Sequence, residues 1–371
     1  AGEYKVHDYN VIYYKCSDEL HLLTEFISFW SKQDIDIITG WNVKFFDIPY
    51  LVNRMTRLFD ERFCSGLSPW GFVSERTVNQ AGFGGTREQQ AFEVMGVATL
   101  DYLDLYRKFT HTQRENYRLD HIGHVELGER KLDYSEFGSL HNLWKEDYQK
   151  FIDYNIKDVE IVDQLEDKMK LIELCLTMAY EAKVNYVDVL GTVRYWDILI
   201  HNYLMDKKIV IPQKTNKEKS DKYEGAYVKD PQVGEHKWVV SFDLNSLYPH
   251  LIMQYNISPE TMVNHNPNTC SVEKFLSQEA DLSDLKSCTI TPNGAMFNTL
   301  KRGFLPELMD KLYKERVIYK KKMIEAKKMY QETGDKRLLN DIAANHNIQL
   351  ARKIALNSAY GAIGNQYFRY F

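Results

Sequence analysis

The chain has 371 residues and a formal net charge of −5, and 44% of its residues are hydrophobic. This length predicts two or three domains rather than one small core, and no apolar run approaches the roughly 20 residues of a membrane-spanning helix. The five cysteines are scattered without a CxxC pair, which argues against a zinc site and a disulfide framework and favours a reducing, cytoplasmic location.

The first 170 residues alternate between predicted helices and strands, a pattern typical of an α/β domain. A short strand at 36–40 ends in Gly40, and a glycine-rich hairpin signal at 76–94 is centred on Gly82–Gly85. The other predicted elements are helices over 19–32, from Asp47 onward and over 145–174, and a strand over 97–105.

The second half contains a helical region, a strand-rich region and a helical hairpin. Residues 171–212 are predicted to be mostly helical, and the apolar run Trp238-Val239-Val240 predicts a buried strand. Two long charged helices are predicted over 306–333 and 336–360, with Gly334 between them. A short polar turn between two such helices predicts an antiparallel pair.

The stretch that follows the predicted strand is Asp243-Leu244-Asn245-Ser246-Leu247-Tyr248-Pro249. A carboxylate at the end of a strand can leave the sheet and hold a metal ion, and the turn after it can receive a metal-bound triphosphate. The alternative is a strand followed by a capped helix, with Asp243 as the cap. On Asp243 alone, both interpretations stay open.

Two groups of side chains on the predicted helical hairpin are suited to bind a nucleotide. Lys353, Asn357 and Tyr360 are spaced i, i+4 and i+7, which places a cation, an amide and an aromatic ring on one face. Arg316 and Lys320 are four residues apart and repel each other unless an anion lies between them.

Each of these two patterns also has a purely structural interpretation. The triplet fits an ordinary amphipathic helix, and the two cations fit a solvated basic face. Arg316 also has Asp310 and Glu315 nearby as possible ion-pair partners.

The N-terminal half contains two separated acids that suit metal-dependent phosphodiester chemistry. Asp47 lies between aromatic residues at a predicted helix start, where it could also serve only as a cap. Tyr154 and Asp158 are spaced i and i+4 and share a helix face, so Tyr154 could hold a water while Asp158 holds a metal. Two-metal hydrolysis needs several converging carboxylates, and Asp47 and Asp158 supply two.

Together these motifs resemble the family B DNA polymerases, most closely those of T4-like bacteriophages, over essentially the whole chain. The resemblance is carried by five segments in the family's order. Gly40–Tyr50 and Tyr154–Asp158 resemble the second and third exonuclease motifs, Tyr223–Ala226 the Tyr-x-Gly element, Asp243–Pro249 the DxxSLYP motif A, and Lys353–Gly361 the KxxxNSxYG motif B.

The resemblance implies an α/β multidomain fold with defined parts. It places an RNase H-like 3′–5′ exonuclease domain at 1–170 and a helical connector, associated with the N-terminal domain, at 171–213. The first part of an α+β palm follows at 214–300, two-helix antiparallel fingers at 301–365, and the start of the returning palm at 366–371. The hairpin at Gly82–Gly85 matches a strand-separating hairpin of relatives.

The resemblance also implies roles for single residues. At the polymerase site, Asp243 and the Leu244 carbonyl are expected to bind metal. The backbone amides of Ser246 and Leu247 are expected to receive the triphosphate, and Tyr248 to exclude a 2′-hydroxyl. Arg316, Lys353 and Lys320 are expected to bind phosphates, and Asn357 and Tyr360 to face the nascent base pair. At the exonuclease site, Asp47 and Asp158 are expected to bind metal while Tyr154 positions the attacking water.

The implied function is that of a replicative DNA-dependent DNA polymerase with 3′–5′ proofreading, using two Mg²⁺ or Mn²⁺ ions per complete site. Its expected partners are primer–template DNA and dNTPs, with no membrane, in the host cytoplasm if the protein is phage-encoded. A sliding clamp would be bound only through a C-terminal segment that this chain lacks.

We also expect this chain to be an internal fragment, with little activity alone. It has no starting Met, and the family's first exonuclease motif and Asp-Thr-Asp motif do not occur in it. The alternatives are one subunit of a split polymerase, active only with a complementing chain, a non-catalytic DNA-binding module, or a stand-alone nuclease.

Overall fold

A computed structural model of the chain shows two compact units, Ala1–Ile172 and Glu173–Phe371, referred to below as unit 1 and unit 2. The structure describes residues 2–6, 9–82, 85–110, 112–214, 228–265, 270–280, 282, 285 and 287–370. The predicted Tyr-x-Gly element at Tyr223–Ala226 and the centre of the glycine-rich hairpin at Phe83 and Gly84 lie outside these residues.

Unit 1 mixes helices and strands, as the sequence predicts. Its strands are β1 (Gly2–Val6), β2 (Tyr9–Tyr13), β3 (Ile37–Gly40), β4 (Val73–Gly82), β5 (Gly85–Val94) and β6 (Ala98–Asp101). Its helices are α1 (Glu19–Trp30), α2 (Asp47–Leu58), α3 (Glu61–Cys64), α4 (Tyr102–Phe109), α5 (Leu119–Leu127), α6 (Leu140–Glu146) and α7 (Tyr148–Met169). Helix α8 (Leu171–Ala182) begins where unit 1 ends.

The strand pairing in unit 1 sets the position of the segment that carries Asp47. Strands β3 and β6 are parallel neighbours, and Gly40 at the end of β3 is in register with Asp101 at the end of β6. Strands β4 and β5 form the predicted antiparallel hairpin, while β1 and β2 form a separate pair. Because parallel strands end at the same edge of a sheet, the two segments that leave β3 and β6 lie side by side.

A hydrophobic core holds α2 against the base of the hairpin. Ile48, Val52 and Met55 of α2 are buried together with Leu23 of α1 and Val94 of β5. Each fully buried aliphatic side chain contributes about 1.5–3 kcal/mol relative to its exposed state. The core therefore fixes the N-terminus of α2, at which Asp47 lies.

Two predicted elements of unit 1 have different boundaries in the structure. The strand predicted over 97–105 ends at Asp101, because the Asp101 carboxylate accepts the Leu103 N–H at 3.0 Å and begins α4. The helix predicted over 145–174 is interrupted twice. Asp147 caps the start of α7, and Lys170 ends it in the left-handed conformation with φ 55°.

Unit 2 is mostly helical and contains one small sheet among its described residues. Its helices are α9 (Thr192–Asp206), α10 (Leu247–Tyr255), α11 (Val272–Leu276), α12 (Phe304–Thr333) and α13 (Leu338–Ile363). Its strands are β7 (Met262–His265), β8 (Cys288–Ile290) and β9 (Ala295–Asn298), arranged with β9 in the centre.

The predicted helical hairpin is confirmed, and so is the mostly helical region predicted over 171–212, which contains α8 and α9. Helices α12 and α13 pack against each other, and α10 contacts both of them. Gly334 closes α12 with φ 67°, a conformation that favours glycine. No helix among the described residues is long and apolar enough to cross a membrane.

The strand predicted at Trp238-Val239-Val240 is wrong. These residues form no strand, and Trp238 is 96% exposed. An apolar run indicates only that burial is favourable, whereas a strand also needs a neighbour for its backbone N–H and C=O groups. The described residues of unit 2 place no strand beside this run. The capping role considered for Asp243 is also wrong, because the N-cap of α10 is Ser246.

Candidate functional site

The predicted acids of unit 1 line one cavity of about 1280 Å³. Asp47 reaches it from the start of α2, and Asp158 reaches it from the middle of α7. Asp120 and Lys131, which the sequence reasoning missed, line the same cavity. The fold therefore brings together two carboxylates that are 111 positions apart in the numbering of the chain.

Asp101 holds the segment that leads to Asp47. Its side chain is 2% exposed, and its carboxylate accepts the N–H of Asn42 at 2.9 Å and the N–H of Lys44 at 3.0 Å. Asn42 has φ 69°, which is uncommon for a residue other than glycine. Burial raises the pKa of Asp101, although the backbone N–H donors oppose this effect. The signal for this role is an acid at a strand end directly before a helix, since Asp101 also caps α4.

Asp47 is the first residue of α2 rather than its cap. The N-cap is Phe46, and no side chain caps this helix end. Ile48 and Pro49 are buried beneath the helix start, whereas the Asp47 side chain faces outward at the cavity. Desolvation by the surrounding protein raises the pKa of Asp47 above its ordinary value of 3.8.

Lys131 connects Asp158 with Tyr154. The Lys131 Nζ lies 2.6 Å from Asp158 Oδ2 and donates to the Tyr154 hydroxyl at 3.3 Å. Burial alone would lower the pKa of Lys131, but the Asp158 carboxylate outweighs it and raises this pKa. Burial also raises the pKa of Tyr154, which keeps its hydroxyl protonated. Tyr154 and Asp158 therefore share a helix face, as predicted, with a cation between their polar ends.

The cavity presents carboxylate oxygens of the kind that bind divalent cations. Asp158 Oδ1 is buried and has no hydrogen-bond partner among the described residues. Carboxylate oxygens are the ligands that Mg²⁺ and Mn²⁺ prefer, and Asp47 presents a second carboxylate to the same cavity. Within the described ranges, no three acidic, histidine or cysteine side chains are grouped closely enough to hold a metal. The two acids thus offer part of a coordination sphere.

In unit 2, Arg316 of α12 forms a hydrogen bond with the turn that precedes α10. The guanidinium of Arg316 donates to the Ser246 hydroxyl at 3.1 Å. Arg316 Nε is buried and has no hydrogen-bond partner among the residues that the structure describes. Two groups that could have paired with Arg316 bind other cations, because Asp310 pairs with Lys314 and Glu315 with Arg352.

Two predicted aromatic residues meet at the same turn. The rings of Tyr248 on α10 and Tyr360 on α13 are stacked, with centroids 4.7 Å apart and an interplanar angle of 15°. Asn357 and Lys353 lie one and two turns before Tyr360 on the continuous helix α13, so the predicted common face is present. Lys320 lies on α12 one turn beyond Arg316 and is exposed.

A buried ion cluster that the sequence reasoning missed joins three helices of unit 2. Arg352 is 8% exposed, and its guanidinium pairs with Glu315 of α12 at 2.8 Å and with Glu181 of α8. Glu315 precedes Arg316, and Arg352 precedes Lys353. The cluster therefore fixes the register of α12 and α13 at the level of Arg316 and Lys353, two of the predicted phosphate-binding cations.

Asp243 and Leu244 are not brought to the other predicted residues. Both side chains are exposed in the irregular segment before α10. Among the described residues, no hydrogen bond or ion pair joins the Asp243 side chain to another predicted site residue. The structure thus assembles the Ser246 turn with Tyr248, Arg316 and Tyr360, and it leaves the predicted metal ligand of this unit apart.

Comparisons with known proteins identify the family to which the chain belongs. Residues 3–122 match the family model described as DNA polymerase family B, exonuclease domain, and residues 192–371 match the model described as DNA polymerase family B. The chain belongs to DNA polymerase family B. It therefore carries exonuclease-domain and polymerase-domain regions of that family, in the order that the motifs predict.

Among named relatives, the chain is similar to phage and eukaryotic polymerases of family B. It is 34% identical to the DNA-directed DNA polymerase of Escherichia phage RB69 and 33% identical to that of Enterobacteria phage T4. Each comparison covers 97% of this chain and 44% of the relative, so the chain spans less than half the length of these proteins. The DNA polymerase delta catalytic subunit of Candida albicans is 30% identical over 93% of this chain and 32% of its own length.

Proposed function

We propose that unit 2 binds the deoxynucleoside triphosphate of a DNA polymerase and that unit 1 contributes to a 3′–5′ proofreading exonuclease. The observation that carries the first assignment is the meeting of Ser246, Tyr248, Arg316 and Tyr360, which come from three different helices. Together they offer a guanidinium, helix N-terminal amides and aromatic faces, which suit phosphates and a nucleoside.

The roles proposed at the nucleotide site combine this geometry with the roles that the resemblance to the family implies. Arg316 and the N-terminus of α10 supply positive charge and N–H donors for the triphosphate. Lys353 adds a second cation from α13, and Lys320 extends the basic surface along α12. Tyr248 would lie against the sugar, where a 2′-hydroxyl would collide with its ring, and Tyr360 and Asn357 would face the nascent base pair.

The exonuclease assignment rests on the cavity in unit 1. Asp47 and Asp158 would hold divalent Mg²⁺ or Mn²⁺, and Asp158 Oδ1 has an unused acceptor for this purpose. When bound, such an ion would neutralise charge on a phosphodiester and make a water more acidic. The Tyr154 hydroxyl, held by Lys131 at 3.3 Å, would orient that water. At the polymerase site, the Asp243 carboxylate and the Leu244 carbonyl would be metal ligands.

The architecture that accompanies this proposal has four parts. Unit 1 up to residue 170 would be an RNase H-like exonuclease domain, and residues 171–213 a connector. Residues 214–300 with 366–371 would be palm, and 301–365, which include α12 and α13, would be fingers. The partners would be primer–template DNA and dNTPs, in the host cytoplasm if the protein is phage-encoded.

The exposed apolar segment around Trp238 supports a further partner. Trp238 and Phe242 are 96% and 91% exposed, and Val239 and Val240 beside them are also exposed. Such a run favours burial against another polypeptide. We propose that this surface is covered by polymerase sequence from a complementing chain. Primer extension after mixing this chain with polypeptides bearing the family's other motifs would support this second proposal.

Equilibrium binding of dATP in the presence of Mg²⁺ tests the nucleotide site. The wild-type chain should bind dATP, and Arg316→Ala and Lys353→Ala should each weaken binding about tenfold or more, because each removes a charged contact to phosphate. Lys336→Ala provides the matched control, since Lys336 is exposed between the two helices and should leave the affinity unchanged. Absence of dATP binding by the wild-type chain would contradict the proposal.

A further inference from the structure

The Ser246 turn has an unfavourable backbone conformation that contacts from two helices maintain. Ser246 has φ 51° and ψ 49°, the left-handed region that residues other than glycine rarely adopt. Its carbonyl oxygen accepts the backbone N–H of His250 at 3.1 Å and lies 2.9 Å from the ring Nδ1 of the same residue. Its hydroxyl accepts from Arg316 on α12.

The contact from the His250 ring has a defined direction. A carbonyl oxygen can only accept, so Nδ1 must carry the proton and donate. This bond requires the neutral Nδ1–H tautomer or the protonated ring, because the neutral Nε2–H tautomer has no proton on Nδ1. His250 therefore supplies a side-chain donor to a carbonyl that its own backbone N–H already binds.

Fixing the Ser246 carbonyl also fixes the first N–H of α10. The Ser246 carbonyl and the Leu247 N–H belong to one planar peptide group and point in opposite directions. Pro249 has no N–H, so Leu247 and Tyr248 provide the N–H groups that the first three positions of α10 offer to a ligand. A rotation of the peptide between Ser246 and Leu247 would turn one of these two donors away.

Helix α12 controls the His250 ring as well as the Ser246 hydroxyl. The rings of His250 and Tyr313 pack edge to face, with centroids 4.6 Å apart and an interplanar angle of 82°. Tyr313 and Arg316 are three residues apart on α12, so they lie on the same face. The helix that carries the phosphate-binding cation thus reaches the turn at two points.

We propose that His250 is a positioning residue of the nucleotide site. Its Nδ1–H holds the Ser246 carbonyl and thereby aims the Leu247 N–H at the phosphates, while Tyr313 keeps the imidazole in that orientation. The inference rests on the proposed function, because the triphosphate of a deoxynucleotide is the ligand that the turn would receive.

Two substitutions at His250 separate a positioning role from a packing role. His250→Leu removes the donor, whereas His250→Asn keeps an N–H donor at the position of Nδ1 and loses the rest of the ring. The ring borders a cavity of about 480 Å³, so both side chains fit without displacing neighbours. With dATP and inorganic triphosphate as probes, His250→Leu should weaken binding of both about tenfold, and His250→Asn by no more than about threefold.

Tyr313→Phe is the matched control on α12, because it retains the ring that contacts His250 and should leave both affinities unchanged. Tyr313→Leu should weaken both. Binding by His250→Leu at wild-type affinity, or equal losses in His250→Leu and His250→Asn, would overturn the inference while leaving the proposed function intact. A wild-type chain that binds neither probe would remove the proposed function and this inference with it.

Discussion

The two units position their candidate residues in different ways. In unit 1, a strand end, a buried carboxylate and a helix start place Asp47, and an ion pair with Lys131 orients Asp158 in the same cavity. In unit 2, packing among α10, α12 and α13 places Ser246, Tyr248 and their neighbours, while the segment with Asp243 stays exposed. Packing of a helix fixes the position of every residue on it. A residue at the end of a strand is positioned only when a neighbouring strand pairs with that strand.

The largest expected effect concerns the buried ion cluster that supports unit 2. Arg352→Ala leaves Glu315 and Glu181 without their shared cation in a largely buried site, and breaking such a pair costs about 3–5 kcal/mol. We expect the urea transition of unit 2 to shift accordingly and dATP binding to weaken, because Arg316 and Lys353 flank the cluster.

Arg337→Ala supplies the comparison for an exposed ion pair. Arg337 is 91% exposed and pairs with Asp335 at the turn between α12 and α13. Its removal should leave both the transition and the affinity within experimental error. Equal losses in the two variants would mean that the buried cluster does not organise unit 2.

The next effect concerns the acid that holds the Asp47 segment in unit 1. Asp101→Asn replaces a buried acceptor of three backbone N–H groups by an amide that offers one acceptor oxygen. We expect a loss of about 2–4 kcal/mol in the free energy of unfolding of unit 1, measured by urea denaturation.

Asp36→Asn makes the same chemical change at an exposed position before β3 and should be nearly neutral. If Asp101→Asn proves as neutral as this control, the loop that carries Asn42 is held by something other than the Asp101 carboxylate.

A smaller effect is expected for metal binding in unit 1. Mn²⁺ binding, followed by electron paramagnetic resonance, should weaken about tenfold or more in Asp47→Asn and in Asp158→Asn, because each change removes a charged ligand. The pKa of Asp47 is raised by desolvation, so its proton competes with the cation at a higher pH than for an ordinary carboxyl. Binding should therefore fall as the pH is lowered while it is still above 3.8.

Lys131→Met should have the smallest effect, and in the opposite direction. Lys131 would compete with a bound metal ion for Asp158 Oδ2, so its removal should strengthen Mn²⁺ binding about two- to fivefold. Weaker Mn²⁺ binding in Lys131→Met would show that the lysine assists the carboxylate rather than competing for it.

The sequence alone predicted the elements whose patterns are local. The hairpin of α12 and α13, its glycine stop at Gly334 and the strand β3 all follow from periodicity and turn chemistry. The common face of Lys353, Asn357 and Tyr360 follows from helical spacing once α13 is continuous.

The contacts that cross the chain could not be predicted in this way. Nothing local connects Lys131 with Asp158, or Arg352 with Glu181, because these pairs form only after distant helices pack. The wrong strand at Trp238-Val239-Val240 has the same origin, since pairing depends on a neighbour that the run itself does not specify. The roles of Asp243, Tyr248 and the other site residues remain predictions from the resemblance to the family.

The most direct test of the central claim is the ratio of dATP to ATP affinity in the wild-type chain and in Tyr248→Ala, measured by equilibrium binding with Mg²⁺. A tyrosine against the sugar should make the wild-type chain prefer dATP, and Tyr248→Ala should lose most of that preference by binding ATP more tightly. Wild-type affinity that is equal for the two nucleotides, or a preference that Tyr248→Ala leaves unchanged, would contradict the assignment of the Ser246 turn and Tyr248 to a deoxynucleotide site.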